Sequence, residues 1–241
     1  MSLKDRGIII VGGRSGIGWA VAQGAAAEGA RVTIASSSAA KVAAAADRLG
    51  GGARGVPVDV TDPASVEAAF ANVETVDHLV FTAGDWGGLR RAKVADLDLT
   101  AARSLFAVRF WGALTMVKAL QGRISPGGSI TLTDGMIAHR PSPGAAVSSA
   151  MAGAVEHLVR GLAVELAPIR VNGVCPGLIR TGVWDSIAPE AREAQFEQMT
   201  RRQPLPRIGE PDEVAQAYLY LMRAGYTTGQ VLKVDGGSSV V

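Results

Sequence analysis

Residues 7–18, GIIIVGGRSGIG, run a strand pattern straight into a glycine turn and on into a helix pattern. Few folds accept that junction. The β-branched residues at 8–11 favour a buried, extended strand. Glycines at 12, 16 and 18 permit backbone conformations and close approaches that a Cβ would forbid. The amides and dipole of the following helix then face whatever stands before them, which suits a phosphate. A tight turn with nothing bound is the other reading, but three glycines weaken a turn unless something must come close.

The junction opens a series. Runs rich in β-branched residues recur at 7–11, 31–35, 55–60, 78–82, 129–133, 169–174 and 230–234. Helical patterns fall between them at 16–28, 39–49, 63–73, 99–121, 145–166 and 211–222, with Thr61 and Asp62 before Pro63 as a helix start. This alternation predicts an α/β, Rossmann-like doubly wound three-layer sandwich with a seven-stranded parallel sheet and a ligand crevice at the carboxyl ends of its strands. A length of 241 residues without linker or repeat fits one domain, 1–241. The alanine-dense segments at 19–30 and 39–46 keep helical spacing and read as close-packed helices.

Charge narrows the partners. The 24 Lys and Arg are interspersed with 22 acids, so a net charge of +2 gives no reason to expect nucleic acid or an anionic membrane. A small-molecule substrate is expected instead. The single cysteine, Cys175, excludes an internal disulfide, and no charged leader with an apolar signal core opens the chain, so a cytoplasmic location is expected. The longest apolar runs are too short to span a bilayer.

Further motifs follow the glycine turn: Asp59 and Val60, FTAG at 81–84, RVNGVCPG at 170–177, Ile179 and Thr181, then RIGEPDEVA and TTGQVLKVDGG. With these the chain resembles the short-chain dehydrogenase/reductase family over nearly its whole length. Val11 stands where the family usually has threonine, and Phe81 and Thr82 replace two asparagines. The resemblance implies a nicotinamide dinucleotide held by Gly12, Arg14, Ser15, Gly16, Ile17 and Gly18 in the first turn. Asp59 and Val60 would lie at the adenine, Thr82, Ala83 and Gly84 beside them, and Pro176, Gly177, Ile179 and Thr181 at the nicotinamide. It also implies a homodimer or homotetramer built on the fourth and fifth helices.

The end of the second strand selects the cofactor, because an acid there would bind the ribose hydroxyl of NAD and repel the extra phosphate of NADP. Ser36, Ser37 and Ser38 stand there, with Arg14 or Lys41 in reach of a phosphate. NADP(H) is the preferred expectation and NAD(H) the other. The serines can instead merely cap the helix from residue 39.

The proton donor is missing. Family enzymes use a tyrosine, a lysine four residues later, a serine and an asparagine. The corresponding positions here are Ser148, Ala152, Gly135 and Arg109. No shift of alignment restores the motif, since Tyr218, Tyr220 and Tyr226 are followed four residues on by Met222, Ala224 and Gln230. A serine hydroxyl without a neighbouring base is a weak acid, so Ser148 is a poor substitute. Small side chains at 150–154 instead suit close helix pairing.

The loss is survivable. A positioned general acid is worth roughly 3 to 5.5 kcal/mol of barrier, whereas near-attack positioning supplies roughly 7 to 11 kcal/mol. Arg109, Asp134 and Ser148 are the catalytic candidates, with His139, Trp184 and Asp185 behind them. Arg109 and Asp134 can equally form a structural ion pair. His139, in a proline-rich loop, reads more readily as solvated than catalytic. Trp86 and Trp184 can line a substrate pocket or cover the core. Substrate is expected beneath residues 182–203. Two functions follow: an NADP(H)-dependent oxidoreductase acting on a small carbonyl, imine or activated alkene, or a catalytically silent dinucleotide sensor or assembly protein.

Overall fold

The computed structural model describes residues 2–84 and 92–241. Its strands are β1 (Gly7–Val11), β2 (Arg31–Ser36), β3 (Arg54–Pro57), β4 (Val76–Phe81), β5 (Ile124–Thr133), β6 (Arg170–Pro176) and β7 (Val231–Val234). They pair in parallel in the order β3-β2-β1-β4-β5-β6-β7. Strand order reverses between β1 and β4, where crossovers leave to opposite sides and open a crevice.

Both faces of the sheet are covered, so the strands are apolar on both sides. Along β1 the side chains alternate: Ile8 and Ile10 pack with helices α1 (Gly16–Ala27), α2 (Ala39–Leu49) and α8 (Pro211–Arg223). Ile9 and Val11 join the opposite core, under α3 (Pro63–Phe70), α5 (Ala113–Leu120) and α6 (Ala146–Glu165). The remaining helices are α4 (Leu99–Phe106) and α7 (Pro189–Thr200). No helix among the described residues is long and apolar enough to cross a membrane.

The RVN segment has a structural role. Arg170 is buried and donates to the carbonyls of Leu221 and Met222 at 2.6 and 2.9 Å, satisfying the end of α8. Asn172 Nδ2 donates to Thr227 O, and its Oδ1 accepts from Gln230 N, so one amide side chain ties the chain entering β7 to β6.

Three expectations change. The third strand stops at Pro57 rather than running to residue 60: Asp59 Oδ1 accepts from Thr61 N and Thr61 Oγ1 at 2.9 and 2.7 Å, which turns the chain toward α3. The helix expected over 99–121 contains a π-helical turn, Ala107–Gly112, where Gly112 lies so near Val60 that a Cβ would come within 2.7 Å of its methyl. Helix α7 has no counterpart in the sequence reading. Only Phe196 and Thr200 are buried in it, so it leaves almost no apolar periodicity.

Candidate active site at the strand reversal

The glycine turn is as constrained as its sequence implies. Gly12 has φ +88°, and a Cβ there would stand 2.6 Å from Ala83 N. At Gly18 a Cβ would lie 2.4 Å from Thr82 Oγ1 and 2.5 Å from Gly12 O. Thr82 Oγ1 itself donates to Val11 O at 3.0 Å, so the end of β4 clasps the turn from beneath. Gly16, φ +54°, faces the Thr181 methyl. A cleft of about 570 Å³ opens beside it, lined among others by Trp19, Thr181 and Trp184. Ser15 and Ile17 complete the turn, and Arg14 is exposed at its rim.

At the end of β2 the three serines differ. Ser38 Oγ accepts from Lys41 N at 3.4 Å and caps α2, the bland reading for that residue. Ser37 is exposed. Ser36 is buried, and its Oγ has no hydrogen-bond partner. That orphaned hydroxyl and the Cβ-free turn fit a dinucleotide: the turn could hold its pyrophosphate, and Ser36 and Ser37 could meet the adenosine ribose. Asp59 is exposed, its carboxyl held below the usual range by the Thr61 bonds, while Val60 is buried. On the far side Gly177 N donates to Val234 O at 2.9 Å beside Pro176, and Ile179 is buried against Gly209.

Arg109 projects from the π-helical turn onto the FTAG segment. Its guanidinium rests on Gly84, where a Cβ would meet Cζ and Nε at 2.6 Å and Nη2 at 2.7 Å. A positive charge thus sits where the crevice meets the carboxyl end of β4. It forms no ion pair with Asp134, contrary to the structural pairing considered from sequence.

Ser148 is buried, and its hydroxyl donates to Ala145 O at 3.1 Å within its own helix turn. Ala152 is buried and its methyl offers no ammonium to Ser148. Tyr218 is buried in contact with Thr133 Oγ1 at 2.7 Å.

Asp134 lies beneath the crevice, 2% exposed, at the end of β5. Burial, then the neighbouring Glu156, raises its carboxyl to about 8. His139 is not solvated as expected: its Nε2 contacts Glu156 Oε1. Cys175 of β6 joins them, and burial plus Asp134 pushes its thiol up. Sequence reasoning missed Glu156 and Cys175 as neighbours of Asp134, because 134 and 175 meet only through the pairing of β5 with β6.

Trp184 lines the cleft beside Gly16 and also braces the segment after it. Its Nε1 donates to Ile179 O at 2.9 Å and its ring packs edge-on to Phe196 at 5.2 Å, anchoring α7. Asp185 pairs with Arg192 at 3.3 Å. Trp86 lies outside the described residues.

A parallel sheet with a glycine-rich turn at its strand reversal is the architecture on which α/β proteins commonly bind dinucleotides. Residues 11–239 match the family described as "Enoyl-(Acyl carrier protein) reductase". The short-chain dehydrogenase/reductase malC of Malbranchea aurantiaca is 32% identical over 98% of this chain and 95% of its own length. The structure titled "MalC Reductase/Diels-Alderase" superposes with a TM-score of 0.91 at 31% identity, covering 99% of this chain and 98% of that one. A small-chain dehydrogenase in complex with NADPH gives 0.85 at 33% identity, covering 99% and 100%. A Pseudomonas aeruginosa PAO1 short chain oxidoreductase, NADPH-bound and "containing an atypical catalytic center", gives 0.88 at 28% identity over 98% of each chain. The chain belongs to the short-chain dehydrogenase/reductase family of oxidoreductases.

Proposed function

We propose that this protein is an NADP(H)-dependent oxidoreductase that works without the tyrosine–lysine pair, with Arg109 as the residue that meets the polar atom of its substrate. The observation that carries this is the seat of Arg109 against Gly84, a fixed cation at the mouth of an otherwise intact dinucleotide turn. The cofactor supplies or takes the hydride. Arg109 binds a carboxylate or polarises a carbonyl or imine, and its own proton stays bound because a guanidinium does not deprotonate in proteins. The proton comes from water. That limits efficient substrates to those needing little proton help, such as iminium ions and activated alkenes.

Asp134 and Ser148 take supporting places, Ser148 closing the first turn of α6 and Asp134 lying under the loop that follows β5. The unpartnered Ser36 hydroxyl and the absence of an acid at 36–38 support NADP(H) over NAD(H). So do two similar structures that hold NADPH, one with an atypical catalytic centre. The same reading makes the protein cytoplasmic and a homodimer or homotetramer. Exposed Trp111 and Val164, on the helices expected to pair, support the latter.

A second reading, a silent NADP(H)-binding sensor or assembly protein, is favoured by the substitution of Ser148 and Ala152 for the donor pair. Steady-state NADPH oxidation across ketones, imines and enones separates the two. Turnover of an imine or enone, falling at least about 100-fold in Arg109→Met, is expected. No turnover with any class, despite tight NADPH binding, would leave only the silent reading.

A further inference from the structure

Asp134, His139, Glu156 and Cys175 bring one donor atom each to within 4.8 Å of all the others. The four come from separate segments: the end of β5, the loop after it, α6 and β6. Neither Asp134 oxygen has a hydrogen-bond partner, and the residue is 2% exposed. Glu156 Oε1 abuts His139 Nε2, and Arg160 Nη2 lies 3.5 Å from Glu156 Oε2. Two acids and a thiol facing one another out of water are unfavourable as anions unless a cation or protons intervene. Protons shared among the Asp134 and Glu156 carboxyls and the Cys175 thiol are the competing arrangement, and metal content distinguishes the two.

We propose that Asp134, His139, Glu156 and Cys175 form a closed site for one divalent transition-metal ion, zinc by preference, that pins the loop over the crevice to the sheet. One sulfur, one imidazole nitrogen and two carboxylate oxygens suit zinc, iron(II) or cobalt(II) and not magnesium or calcium, which take oxygen donors. Metal–ligand bonds of about 2.0–2.3 Å place tetrahedral ligand atoms roughly 3.3–3.8 Å apart, so small side-chain rotations close the site. Four protein ligands leave no open position, which makes the ion structural. Binding releases the thiol proton, and any proton on the carboxyls, to solvent. Arg160 offsets the remaining negative charge. The ion would fasten His139, at the end of the turn Met136–Ala138, to Cys175 of β6 and Glu156 of α6.

The test is metal content and cobalt spectroscopy on the full chain, tag removed and purified without chelators. Close to one zinc per chain is expected. After stripping with a strong chelator the melting temperature falls by at least about 5 °C and returns on adding Zn²⁺. Added Co²⁺ gives tetrahedral absorption with a sulfur-to-cobalt band that Cys175→Ser abolishes, and His139→Gln weakens zinc binding at least about 100-fold. Less than a tenth of an equivalent of any transition metal, with no thermal shift and no tetrahedral cobalt spectrum on adding Zn²⁺ or Co²⁺ to the wild-type chain, overturns the proposal without recourse to a variant. A thermal gain from Asp134→Asn in the wild-type background as purified also overturns it, since that substitution would remove a ligand.

Discussion

At Gly18 the backbone is ordinary and the obstruction purely steric, since a Cβ would press on Thr82 Oγ1 and Gly12 O. Gly18→Ala is therefore expected to weaken NADPH binding at least about tenfold while leaving a folded protein, as measured by titration calorimetry beside a thermal melt. Ser148→Ala should keep turnover within about tenfold of the parent, because the hydroxyl already bonds its own helix. A collapse of activity in that variant would return Ser148 to the chemistry. The tight packing of the glycine turn was legible because it follows from local spacing. The buried quartet was not: 22 positions separate Asp134 from Glu156, and no local pattern joins either to Cys175.

Among the elements, β1, β2, β4 and β6 and α1, α2, α6 and α8 were legible because each presents a continuous apolar face. α7 escaped because its stability comes from Pro189 at its start, one buried phenylalanine and a neighbouring indole rather than from amphipathic repetition. Trp184→Ala removes that indole and its bond to Ile179 O, and should raise KM for substrate more than it lowers kcat if α7 covers the substrate. The β4–β5 pair holds a pH-sensitive contact. His78, buried and bonded through Nδ1 to Ser129 Oγ at 2.8 Å, has its imidazole lowered to about 4 by burial first and then by the charge of Arg170. A folded value below the unfolded value means the folded chain binds fewer protons. This contact therefore contributes fully at neutral pH and loses on the order of 3 kcal/mol as pH falls from about 6.5 to about 4. Melting temperatures between pH 7 and pH 4.5 should fall more steeply for the parent than for His78→Gln; parallel curves would remove His78 from the account.

For the molecule as a whole, the alternation of strand and helix patterns sufficed for a parallel sheet with a crevice at its reversal, because right-handed crossovers leave few topologies open. Ligand preference is tested at the same scale. NADPH at about 100 times its dissociation constant adds roughly 2.7 kcal/mol of stability. At equal concentrations NADPH is expected to raise the melting temperature more than NADH; equal shifts would dismiss the serine argument.

The packing of Arg109 on Gly84 also makes the two positions a coupled pair. A Cβ at 84 would displace the far end of a flexible arginine, so Gly84→Ala is expected to lower turnover by moving the guanidinium while leaving the fold intact, and to have little further effect once Arg109 is shortened to alanine, a double-mutant cycle with clear non-additivity. A variant library that scans either position alone would therefore misjudge it, because what is tolerated at 109 depends on what stands at 84.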